Sequence, residues 1–188
     1  MPLTNLLVPT FTQMLKMLSN WLAKAQTQLP EVEAETLLSA RLAPEMFPLS
    51  TQIRFTCIQA LEAMHRLRGE TFHSILGDLR TEALEAGERP GTIAQAKARI
   101  EETLKLLAGI APDTLDGDEG RPIAHEIPNG MIFDMTAGQY ARDWALPQFY
   151  FHVMAAYAIL RNQGVDLGKA DYVAHMFQYI RPDTIPKE

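Results

Sequence analysis

Four stretches of this 188-residue chain space their apolar residues by three and four. That is the period of an α-helix with one wet face and one dry face. In the first stretch Leu7, Phe11, Met14, Leu18, Trp21 and Ala25 fall on one side. Pro9 is uncomfortable there, because an interior proline removes a hydrogen bond and crowds the preceding turn. Either the helix starts near Thr10 or Pro9 sits in its first turns, and Leu29-Pro30 ends it. The second stretch runs from a cap at Ser50 to Arg68, with Ile53, Cys57, Ala60, Leu61, Met64 and Leu67 inward and Gly69 as its stop. The third opens on Thr92-Ile93-Ala94-Gln95, a capping box in which hydroxyl and amide satisfy two orphan backbone donors. Gly109 closes it. The fourth carries Pro147 in its first turn, Phe149, Val153, Ala156, Tyr157 and Leu160 on its apolar side, and Gly164 at its end.

The connections read differently. Residues 31–40 fit a short helix, and 71–87 a weaker one interrupted by Gly77. Between the third and fourth helices the period drops to two: Ile123, His125 and Ile127 alternate, as do Met131, Phe133 and Met135. Pro128-Asn129-Gly130 separates the two runs, and Asn-Gly is a hairpin signal because both residues tolerate positive φ. Thr136 caps a short helix through Trp144, and residues 165–188 read as turns and a tail. The expected fold is all-α: a four-helix bundle with short extra helices and a small β-hairpin before the last long helix, in one domain over 1–188.

Charge removes whole classes of function. Seventeen basic against twenty-three acidic residues give a net charge of -6, whereas a nucleic-acid binder needs a basic face. No stretch of eighteen uncharged apolar residues occurs, so no membrane span is expected. Cys57 is the only cysteine, which excludes an internal disulfide, and on an apolar helix face it reads as a packed thiol. The N-terminus lacks a signal-peptide pattern and the tail Ile185–Glu188 lacks a lipidation signal. The expected setting is cytoplasmic.

Few chemical motifs survive inspection. There is no His-x-x-x-His to present two imidazoles one turn apart, and no Gly-x-Ser-x-Gly nucleophile elbow. Gly164–Ala170 approaches a phosphate loop, but it is one residue short, ends in Ala170 and follows a helix. The acidic loop Asp113, Asp116, Asp118 and Glu119 misses calcium-loop spacing and reads as solvated. Among five histidines, His152 flanks the apolar face of the fourth helix. It reads as a ligand or general base aimed into a bundle, or as a core-edge imidazole with a structural partner. His65 lies at the edge of the second helix's stripe.

The segments Leu146–Val153, Ala156–Arg161 and Gly164–Tyr172, with Arg41–Leu49 followed by Gln52 and with Ala98-Arg99-Ile100, resemble a bacterial domain-of-unknown-function family of the DinB/YfiT-like superfamily. The resemblance spans nearly the whole chain and fits least over 71–90, where the connection is longer. It implies a DinB-like four-helix bundle, often dimeric, so a homodimer is expected. Many members of the superfamily hold a divalent metal through a histidine on the second helix and a His-x-x-x-His pair on a later one. Some are thiol-dependent S-transferases. Here His152 matches the first member of the pair, Ala156 stands at the second, and the second helix offers His65. Two imidazoles alone make a poor site, since stable sites take three or four protein ligands.

The expectation is therefore an uncharacterised DinB-like bundle that binds a small molecule in an interior cleft, without a cofactor and without the full three-histidine site. His152, Tyr157 and Gln52 are its expected polar contacts. The alternative is a divalent-metal enzyme of S-transferase or hydrolase type, with zinc or nickel on His152 and His65 and a third ligand unidentified. A third reading makes the helix faces themselves the function, drawing on the aromatic run Phe149–Phe151.

Overall fold

Long helices form where the three-and-four spacing places them: α1 (Leu3–Gln28), α3 (Leu49–Arg68), α5 (Ile93–Ala108) and α7 (Leu146–Asn162). The computed structural model describes residues 2–184, and the Ile185–Glu188 tail lies outside the described residues. α1 and α3 each lie against both α5 and α7 and meet one another only narrowly. The core between them holds Leu7, Phe11, Leu18, Ile53, Ile100 and Phe149, all removed from solvent. Each such side chain contributes about 1.5–3 kcal/mol on burial. None of the described helices is long and apolar enough to cross a membrane.

Pro9 lies inside α1, not before it. It sits on the wet side with Asn5, so the Asn5 carbonyl that loses its partner can be hydrated. The start of α1 is held by the acidic loop. Asp116 Oδ1 accepts the Thr4 N–H at 2.7 Å, and Thr4 Oγ1 accepts the Leu115 N–H at 2.9 Å. That carboxylate is a helix cap delivered from a hundred residues away.

Ser50 does not cap α3. The helix begins one residue earlier, after Pro48, and Ser50 faces inward from its first turn. Its hydroxyl donates to the Pro90 carbonyl and accepts from Arg54 Nη1, tying α3 to the entrance of α5. A short helix, α2 (Glu31–Thr36), and a 3-10 turn (Leu37–Ser39) fill the first connection.

α4 (Ile75–Glu85) packs along α3, and Gly77 lies within it without breaking it. Glu82 of α4 joins three helices: Arg54 Nε donates to Oε2 and Arg99 Nε to Oε1, each at 3.0 Å. Burial alone would raise the Glu82 carboxyl, but the hydrogen bonds and charges of Arg99 and Arg54 overcome it and hold it below the usual range. Its contribution is therefore present above the ordinary glutamate pKa and fades as acid protonates the folded state.

The capping box of α5 forms as written in the sequence. Gln95 N–H donates to Thr92 Oγ1 at 3.1 Å, and Thr92 N–H donates to Gln95 Oε1 at 2.9 Å. The preceding Gly91 has φ +75, and a Cβ there would meet Gln95 Oε1 at 2.7 Å and Arg54 Nη2 at 3.2 Å. Gly91→Ala is expected to cost about 1–2 kcal/mol, from the left-handed backbone and the displaced cap together. Urea denaturation checks this; an unchanged midpoint would contradict it.

The hairpin pairs β1 (Pro122–Glu126) with β2 (Ile132–Thr136) antiparallel, Ile123 opposite Met135 and His125 opposite Phe133. Its turn is not a two-residue Asn-Gly turn. Among the described residues Gly130 (φ 84) is left-handed and Asn129 is not. Gly130 N–H reaches the Ile127 carbonyl and Ile127 N–H the Met131 carbonyl, both at 2.9 Å. This is a three-residue connection in which Pro128 supplies the first corner. Ile123 and His125 point inward and are buried.

Thr136 caps α6 (Ala137–Gln139) through a second box with Gln139. The helix then widens into a π-turn over Tyr140–Ala145 and runs straight into α7. The two helices expected on either side of Trp144 are thus one column. α8 (Lys169–Tyr172) follows, and 3-10 turns over Ala174–Tyr179 and Pro182–Thr184 close the described residues. Asp171 accepts the Gly168 N–H at 2.7 Å and pairs with Lys24. The backbone of the loop that approached a phosphate motif is thus answered by the chain's own carboxylate.

Candidate functional site

α3 and α7 lie side by side, and this brings Gln52 and His152 together. Both are buried, and His152 Nδ1 stands 2.8 Å from Gln52 Oε1. The Gln52 amide is oriented by its own donation from Nε2 to the Phe47 carbonyl at 3.3 Å. Its oxygen therefore faces the imidazole, and Nδ1 carries the proton. The ring stacks on Phe55 with centroids 5.0 Å apart. Burial lowers the His152 pKa to about 4, so the imidazole is neutral.

The other two residues singled out in the sequence lie elsewhere. Tyr157 follows His152 by five positions, a rotation of about 140° round the helix. It packs edge-on against Trp21 and Tyr172. His65 is thirteen residues after Gln52, about 20 Å along the same helix. Its Nδ1 lies 3.8 Å from Glu70 Oε2 and its ring meets Phe72 edge-on. Burial and the neighbouring Arg68 lower its pKa. Cys57 is enclosed, and burial pushes its thiol up to about 11, so it is a packing group and not a nucleophile. Of the aromatic run, Phe149 is core and only Phe151 is well exposed.

A cleft of about 470 Å³ opens on the other side of Phe55. α3 supplies Phe55, Ile58, Gln59, Glu62 and Arg66 to its wall; Phe72 and Arg80 come from the connection to α4 and from α4 itself. The hairpin contributes His125 and Ile127, and the π-turn contributes Trp144. Tyr140 and Trp144, one wide turn apart, both reach His125, with centroids at 5.5 Å and 4.3 Å.

His125 is 3% exposed, yet neither ring nitrogen has a hydrogen-bond partner among the described residues. The Tyr140 hydroxyl, fully enclosed beside it, has none either. Burial, reinforced by Arg66, lowers the His125 pKa, and burial raises that of Tyr140. Three buried polar atoms left open on two touching side chains, one of them in the cleft wall, are unusual, since such atoms are nearly always paired.

His125, Tyr140 and Trp144 were not among the residues picked from the sequence. One trace was present: His125 occupies the same inward register as Ile123, an imidazole where the strand pattern calls for an apolar side chain.

Comparison with known proteins agrees with this architecture. The sequence model of a domain of unknown function, DUF1993, matches residues 3–173. The chain belongs to the DUF1993 family. The DUF1993 chain also superposes on a crystal structure described as a DinB family member protein from Shewanella denitrificans, with a TM-score of 0.73 and 31% identity. The match covers 98% of this chain and 96% of that one. No curated protein matches.

The divalent metal implied by the DinB-like resemblance does not fit the residues of this DUF1993 protein. Ala156 stands where a second imidazole would be, and His152 Nδ1 is spent on Gln52. The sequence contains Glu-x-x-His at Glu62–His65, but the two side chains serve different partners: Glu62 is held by Arg66 and Arg80, while His65 turns to Glu70. Among the described residues no group of three or more His, Cys, Asp or Glu is placed to hold a metal.

Proposed function

We propose that this DUF1993 protein binds a small organic molecule in the cleft between α3, α4, the hairpin and the π-turn. The observation that carries the reading is the buried His125 imidazole, unpartnered at the wall of a cleft with aromatic sides. A site of this size with mostly apolar walls and a few convergent polar groups is the form small-molecule sites take. A ligand that supplies a partner to His125 recovers a hydrogen bond that the free protein lacks. The Gln52–His152 pair supports the wall from behind, through the stack on Phe55. On this reading the polar contact passes from Tyr157 to His125, with Tyr140 packed behind it, while Gln52 and His152 position Phe55.

A fragment screen by ligand-observed NMR tests this. Bound fragments are expected to compete with one another and to lose binding in Gln59→Trp, which fills the cleft from a partly exposed position. Fragments that bind the variant unchanged, or a screen with no binders, would reject the cleft as the site.

A further inference from the structure

Charge and donor inventory at the floor of the cleft separate one class of ligand from the others. Glu62 is 6% exposed and both of its oxygens are taken. Arg66 Nε donates to Oε1 at 2.7 Å, and Arg80 Nη2 donates to Oε2 at 2.9 Å. A guanidinium has five N–H donors, and each of these spends one on Glu62, so most of both forks stay open. The two guanidinium carbons lie 5.1 and 5.4 Å from the centre of the Phe72 ring. Glu126 also lines the cleft, so two guanidiniums face two carboxylates, and Arg80 and Glu126 are both exposed. What stays unanswered is the open guanidinium N–H groups, which call for acceptors.

A further polar group of the wall leans the same way: His125 is neutral and carries one N–H. A cationic ligand brings no acceptor for these N–H groups. A neutral ligand offers only weak acceptors. A carboxylate matches the fork geometry of arginine and supplies two charged acceptor oxygens. Phe55, Phe72 and Trp144 give the rest of the lining aromatic surface suited to a ring.

Resting on the cleft reading above, we infer that the ligand is a small aromatic monocarboxylate. Its carboxylate is held by Arg66, Arg80 and His125, and its ring lies among Phe55, Phe72 and Trp144.

The test is isothermal titration of the full chain with benzoate, 2-naphthoate and indole-3-carboxylate, each against its own primary alcohol, and with phenyl phosphate as a dianion. At least one acid is expected to bind tenfold or more tightly than its alcohol. Arg80→Gln, at a side chain 44% exposed and thus tolerant of change, is expected to reduce that preference severalfold while leaving the alcohol's affinity unaltered. Arg66→Gln serves as a second variant. Alcohols that bind as well as acids, or phenyl phosphate that binds more tightly than the acids, would overturn the carboxylate class while leaving the cleft a ligand site. If no acid or alcohol distinguishes the native protein from Gln59→Trp, both readings fall.

Discussion

Between pH 7 and pH 4 the protein is expected to lose about 3 kcal/mol of stability through His152 alone. Burial holds this imidazole at about 4 in the folded chain, against about 6.5 when unfolded. In that interval the unfolded state binds a proton that the folded state refuses. The contribution is complete above the unfolded value, drains as pH falls toward the folded value, and stops changing below it. The slope approaches about 1.4 kcal/mol per pH unit. His125 and His65 are lowered as well and act with the same sign; Glu82 acts at lower pH. Comparison with His152→Gln isolates the one residue, since a glutamine amide still donates to Gln52 Oε1 and never titrates. Guanidinium denaturation across pH 4–7 is expected to show the native protein steepening relative to the variant. Parallel curves would place the titration elsewhere.

Phe149→Ala is expected to cost about 3–5 kcal/mol, the largest effect of any single substitution considered. The ring is wholly buried on α7 and lies 4.5 Å from that of Phe11 on α1, so it fills the seam between two long helices. The cavity left by truncation is bounded by helix backbones that cannot collapse inward freely. Phe151, two residues on and 58% exposed, is the internal control. Its alanine variant is expected to change stability by less than about 0.5 kcal/mol. Denaturant midpoints at an unchanged slope decide the matter, and equal losses at both positions would contradict the rotation of α7.

Local chemistry explains which elements could be read from the sequence. The helix faces, the Thr92 box and the hairpin are written in neighbouring residues, and each formed where neighbours dictate. Ser50 misled because its hydroxyl answers Pro90, forty residues away. The π-turn was invisible, because its sequence differs in no obvious way from that of a helix entering α7. The same reasoning applies to the candidate site. Gln52 and His152 were both singled out, and helix packing made them partners. His65 and Tyr157 belong to the same two helices but to other levels or faces of them. The open nitrogens of His125 gain meaning only once the hairpin folds back over Glu62 and Arg66, a long-range event that no local pattern encodes.

The surplus residue in the Tyr140–Ala145 turn works as a clutch between two gears. On one side it drives the wall of the cleft, on the other the core-facing side of α7. A wide turn takes up one residue more than an ordinary one, so the extra residue is absorbed without rotating α7. The bundle stays engaged while the cleft wall carries the difference. A chain built this way can gain or lose a residue beside the cleft without renegotiating the packing that keeps it folded.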